Sequence, residues 1–174
     1  QHTLTDISED DFNSAGDAVL SIINSVGGDR ITDDDLGAVE GIAVVGVDDT
    51  NGQWQYDANA DGTWIAFGSV SDTGAVLLDT GALVRFVPNP DYNGSAGNLT
   101  FRAWDQTFGS NGDADVDASV NGDDSAFSCQ VATASLNVIP VNDAPTVSLV
   151  NVVNSLAEDA NTSGAVRVAD IVIT

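Results

Sequence analysis

Short runs rich in Val, Ile, Leu, Thr and aromatic residues, broken by clusters of Asp, Asn, Gly and Pro, recur along most of this chain. Runs at 42–47, 53–56, 64–70, 75–78, 83–87, 99–104 and 132–139 each suit a strand. Their spacing of roughly 8 to 12 residues is that of a sandwich of sheets. Leu99, Phe101 and Ala103 alternate with Thr100, Arg102 and Trp104, and Ala134, Leu136 and Val138 with Ser135, Asn137 and Ile139. A period of two gives each strand one buried face. Residues 17–25 fit a strand or a short helix, because Val19, Leu20, Ile22 and Ile23 satisfy both periods. Residues 105–128 are longer and more polar than a sandwich connection needs, and loops beyond about 12 to 15 residues tend to be functional or disordered.

Two strand-like runs, 131–141 and 146–153, flank Val141-Asn142-Asp143-Ala144-Pro145-Thr146. Pro145 fixes its own φ and holds Ala144 extended, so the stretch is a short, stiff joint. The segment after the joint echoes the start of the chain: Ala157-Glu158-Asp159 with Gly164 matches Ser8-Glu9-Asp10 with Gly16, and each leads into an apolar run. Residues 1–145 therefore read as one complete module and 146–174 as the opening strands of the next, a piece of a tandem array. Nothing at Gln1 reads as a signal peptide, the expectation for a segment from the interior of a longer chain.

With 174 residues, 43% of them hydrophobic, the chain can bury a core, and no run is long enough to insert in a membrane. Charge changes the picture more. Against 27 acidic residues, of which only Glu9, Glu40 and Glu158 are glutamate, stand four arginines, for a net charge of -23. That sign excludes nucleic acid as a partner. Solubility in a salty medium is one explanation; the other is that aspartates cluster where divalent cations neutralise them, Asp being a compact oxygen ligand. Cys129 is alone, so there is no disulfide framework, and it reads as a small packed residue at a strand start. His2 reads as part of a frayed N-terminus, which leaves no Ser-His-Asp or Cys-His pair, and acids in hydrated turns are poorly placed for glycoside chemistry. The chain is expected not to be an enzyme.

Asp57-Ala58-Asn59-Ala60-Asp61-Gly62 places oxygen ligands at alternate positions before a glycine, as in the first half of an EF-hand loop. Gly68 stands twelfth where that loop has glutamate, and a plain hairpin turn explains the same residues. A second constellation is distributed: Glu9 and Asp10; Asp33, Asp34 and Asp35; Asp105; Asn142 and Asp143. In 105–128, Asp113, Asp115, Asp117, Asp123 and Asp124 sit among glycines and serines. That loop reads either as a solvated, partly mobile excursion or as a calcium pocket that also binds a ligand. Trp54, Trp64 and Trp104 are core residues or a stacking surface.

The joint motif, the early Glu9 and the acidic clusters, with Gly41-Ile42-Ala43-Val44, Gln53-Trp54-Gln55-Tyr56, Arg85-Phe86-Val87-Pro88, Tyr92-Asn93-Gly94 and residues 101–107, resemble cadherin-like repeats of very large bacterial RTX-type surface adhesins. The resemblance implies an all-β Greek-key sandwich (cadherin/Ig-like), secreted to the bacterial cell surface, with Ca²⁺ at the junctions between neighbouring repeats. It implies that Glu9 serves an upstream junction, and Asn142, Asp143 and Glu158 the one present here; Asp105 corresponds to a family aspartate near a domain end. The function it implies is a calcium-stabilised extender of an adhesin in cell adhesion and biofilm. A module binding a peptide or glycan with calcium is the alternative, and a subunit polymerising by donating the stretch 147–174 is a third.

Overall fold

In the computed structural model the described residues are 1–27, 31, 39–149 and 171–173. They form two compact units, Gln1–Val141 and Asn142–Thr174. The break falls just before the Asn142-Asp143 pair, at the front of the joint.

The first unit is an all-β sandwich. Its strands are β1 (His2–Thr3), β2 (Ile7–Ser8), β3 (Asp17–Ala18), β4 (Gly41–Val47), β5 (Gly52–Asp57), β6 (Ile65–Ala66), β7 (Val76–Asp79), β8 (Leu83–Pro88), β9 (Gly94–Ser95), β10 (Leu99–Trp104), β11 (Phe127–Ser135) and β12 (Asn137–Ile139). They make a five-stranded sheet ordered β1-β11-β10-β4-β7, a four-stranded sheet β3-β8-β5-β6 and a three-stranded sheet β2-β12-β9. Ile42, Val44, Leu78, Leu99 and Phe101 from the first sheet share one core with Trp54, Tyr56, Val84 and Phe86 from the second. Residues 17–25 use both of their options: β3 is followed by a helix, α1 (Val19–Asn24). Val19, Ile22 and Ile23 are its buried positions, the i, i+3, i+4 stripe of one helix face. Six residues make a marginal helix alone, so this packing is what holds it.

The period-two expectation fails instructively in β4 and β10. Ala43, Leu77 and Trp104 point away from the main core, yet form a second one with Ala75, Ala118, Ala126 and Phe127, against which Val45 and Val116 also pack. The reason is the loop 105–128. It folds back as a strap over the outer face of the first sheet and along β7. Gly112 N donates to Leu77 O (2.8 Å), Leu77 N to Asp113 O (2.9 Å), Ala75 and Val116 exchange bonds of 2.8 and 3.0 Å, and Ala118 N donates to Asp72 O (2.7 Å). Covering β7 this way satisfies an edge that would otherwise offer free backbone groups. Of the two readings of 105–128, the solvated excursion is corrected: the strap is a bonded layer, and β4 and β7 are apolar on both faces where it covers them.

Two smaller expectations are also corrected. His2 is not frayed: it is 8% exposed, β1 pairs with β11, and Nδ1 lies 2.7 Å from Ile22 O, which makes Nδ1 the protonated nitrogen since a carbonyl only accepts. Cys129 is exposed, because the strand bulges opposite Ala103. Trp54 and Trp104 are core residues, while Trp64 is half-buried with the Arg85 guanidinium 4.1 Å above its ring. Among the described residues no helix is long and apolar enough to cross a membrane. In the second unit β13 (Val147–Leu149) pairs antiparallel with β14 (Ile171–Ile173).

Candidate functional site

The acidic residues behave first as turn closers. Asp11, Asp48, Asp57, Asp61, Asp79, Asp105 and Asp117 each accept the backbone N–H two residues further on. An Asp side chain that mimics a backbone carbonyl in this way stabilises a tight turn. The hydroxyl and N–H of Thr50, Thr63 and Ser119 hold the carboxyls of Asp48, Asp61 and Asp117 below their ordinary range. Seven of the 24 aspartates thus have a task in turn geometry.

Glu9 has a different task. It is 3% exposed, with Asn93 Nδ2 donating to Oε2 at 2.9 Å and Val141 N donating to Oε1 at 2.5 Å. The Val141 N–H first, then the Asn93 amide, lower its pKa from the ordinary 4.5. A depressed carboxylate contributes stability that is present above its unfolded pKa and lost as pH falls through the folded one. Urea midpoints should therefore decline as pH drops from 5 toward 3, and Glu9→Gln should flatten part of that decline while lowering the midpoint at neutral pH; an identical pH slope in the variant would refute the assignment. Asp10 is exposed beside it. Asn142 and Asp143 are exposed, with Asn142 Nδ2 donating to Asp143 O (3.1 Å), and belong to the second unit.

The arrangement nearest to a cation loop joins β5 to β6. Backbone N–H groups of Asn59 (3.2 Å) and Asp61 (3.3 Å) reach Asp57 Oδ1, and that of Gly62 reaches Oδ2 (2.7 Å). The chain wraps this way because Ala60 (φ 52°) and Gly62 (φ 90°) both adopt left-handed backbone, which glycine takes freely and alanine does not. Asp57 is fully buried, whereas Asn59 and Asp61 are exposed. The strap props the turn from below: Asn111 Nδ2 donates to Ala58 O (2.6 Å), and Asn111 Oδ1 accepts from Asp79 N (3.0 Å). Oxygens at alternate positions on a turn of this shape suit a hard cation such as calcium, but three side chains supply only part of its usual six to eight places.

The other candidates do not come together. Asp105 is half-buried and closes its own turn on Thr107, through N at 2.8 Å and Oγ1 at 2.7 Å. Asp113, Asp115, Asp117, Asp123 and Asp124 are all exposed; Asp113 Oδ2 accepts from Ser110 N (2.9 Å). Among the described residues no three His, Cys, Asp or Glu side chains are grouped to hold a metal ion. Asp33, Asp34, Asp35 and Glu158 lie outside the described residues. Sequence reasoning missed Asp6, whose Oδ1 accepts from Asn137 N (2.8 Å), and the roles of Asn93 and Asn111. No local signal marks them, since each acts on a partner distant in sequence.

Comparison of the chain with protein-family models, with curated proteins and with solved structures found no match.

Proposed function

We propose that Gln1–Val141 is an extender module, a spacer in a tandem array on a large secreted bacterial surface adhesin, with calcium as its stabilising ion. The observation that carries the reading is the direction of the terminal strands. β1 runs parallel to β11 and β2 parallel to β12, so the chain enters and leaves the sandwich heading the same way. Modules threaded so can follow one another in line; an antiparallel pair of terminal strands would return the chain to the side from which it came. The strap supports the same reading, because Val116, Ala118 and Ala126 pack on the sheet while Asp105 and Asp117 close turns. Calcium is proposed at Asp57, Asn59 and Asp61, and at the joint through Asn142, Asp143 and Glu158, with neighbouring repeats as the partners.

Two copies linked through their native 142–174 stretch test it by solution scattering. With calcium, the maximum dimension should approach twice that of a single copy, and chelation should broaden the distance distribution. A compact pair in both conditions would overturn the extender reading.

A further inference from the structure

We infer that the sandwich is built to resist tension: force applied through its two ends shears the first strands against the last ones. The inference rests on the extender reading for its role and on strand pairing alone for its mechanics. The ladder aligns His2 with Ala134, Thr3 with Ser135, Ile7 with Val138 and Ser8 with Ile139, all in parallel register. Further bonds fall on alternate residues of the last strands: Leu4 N to Ser135 O (3.0 Å), Asn137 N to Asp6 Oδ1 (2.8 Å), Glu9 N to Ile139 O (3.0 Å) and Val141 N to Glu9 Oε1 (2.5 Å). The seam therefore runs from Ala134 to Val141, about 23 Å at the rise of an extended strand.

When parallel strands are drawn by opposite ends they slide, and every bond across the seam is loaded at once. Antiparallel terminal strands would open from one end, bond by bond. Two acceptors in this seam are carboxylates, and hydrogen bonds to an ionised group are roughly twice as strong as neutral ones. The leading segment is also held from its other flank. His2 Nδ1–H donates to Ile22 O (2.7 Å), Thr3 N to Ser25 Oγ (2.9 Å), and the Asp17 carboxylate accepts from Thr5 N (2.9 Å) and Thr5 Oγ1 (2.7 Å). Sliding must break these as well, so resistance to tension is concentrated where the chain would be pulled.

Single-molecule pulling in two directions tests this. With Cys129→Ser to remove the exposed thiol, handles go on Gln1→Cys and Val141→Cys for the end-to-end direction, and on Gln1→Cys and Asn98→Cys for the other. Gln1 and Asn98 adjoin, Nε2 to Oδ1 at 2.9 Å in the unaltered chain, so the second direction peels β1 from His2 onward. End-to-end unfolding should need severalfold more force than peeling. Adding Asp6→Asn and Glu9→Gln should lower the end-to-end force and leave the first peeling event unchanged. Equal forces in the two directions overturn the inference, and an end-to-end force unmoved by the carboxylate changes removes those residues from it. If the double variant does not fold, the comparison of directions still decides. A tandem pair that stays compact in scattering would remove the role and leave the force anisotropy standing, so the two failures are distinct.

Discussion

Replacing Trp104 by alanine is expected to lower the melting temperature by about 10 °C or more and to expose the strap to proteases while the main core holds. Trp104 is 1% exposed and belongs to the second core, and its Nε1–H donates to Phe108 O at 2.8 Å inside the strap. The ring lies over Gly41, where an added Cβ would come within 2.6 Å of Trp104 Cε3 and 2.9 Å of Leu78 O. Removing a buried Trp side chain costs about 3 to 5 kcal/mol, because the cavity collapses only in part. For a domain of this size each kcal/mol shifts the midpoint by roughly 2 to 8 °C. The loss should be local in kind, since Ile42, Trp54, Phe86 and Phe101 lie in the separate main core. Limited proteolysis should therefore cut first within 105–126, leaving the rest of the sandwich intact. A melting curve within a few degrees of the parent with an unchanged cleavage pattern would mean that the strap does not depend on this ring.

The sandwich was legible because its signal is local. Runs at 42–47, 53–56, 83–87 and 99–104 became β4, β5, β8 and β10 within a residue or so, since apolar and aromatic residues between turn formers leave the backbone few options. The strap was not legible, because Ala118, Ala126 and Phe127 read as scattered apolar residues in a polar stretch until their partners Ala75, Leu77 and Trp104 are known. The clue lay elsewhere. Ala43 and Val45 on β4, and Leu77 on β7, make their strands continuously apolar, and a strand apolar on both faces must be covered on both. The run at 64–70 shrank to the two residues of β6 for a related reason: Ile65 and Ala66 are exposed at a sheet edge, while Phe67 is buried in the core and Val70 packs half-buried against it.

Of the candidate site, composition showed that acids abound but not what occupies them. An Asp that closes a turn and an Asp that binds a cation occur in the same short polar stretches, and only the backbone distinguishes them. Glu9 shows the limit well. The resemblance implies a junction ligand at Glu9, and its carboxylate accepts from Asn93 and from Val141, 132 residues away in sequence. Parallel pairing of the terminal strands, from which both the extender reading and the shear inference follow, leaves no trace in either strand alone.

Asp57 is where turn closure and cation binding can be separated. Asp57→Ala removes the acceptor for three N–H groups at 3.2, 3.3 and 2.7 Å, from a residue with no exposed surface. Leaving a buried or half-buried donor unpaired costs about 1 to 3 kcal/mol, and the exposed Asn59, Asp61 and Gly62 can recover part of that from water. The net expected loss is about 3 kcal/mol in chelator, with Asp57→Asn losing less because one carbonyl oxygen remains. Calcium adds a second, separable quantity. An ion that binds only the folded chain stabilises it by about 2.7 kcal/mol when present at a hundred times its dissociation constant. The parent and Asp61→Ala should differ more in calcium than in chelator, since Asp61 closes only the Thr63 turn and its removal leaves the Asp57 bonds in place. Melting curves of the parent, Asp57→Ala, Asp57→Asn and Asp61→Ala, each with calcium and with chelator at low salt, resolve the two terms. If every curve is the same with and without calcium, the turn is closed by hydrogen bonds alone; if Asp57→Ala matches the parent in chelator, the three N–H bonds contribute nothing and the turn depends on the ion.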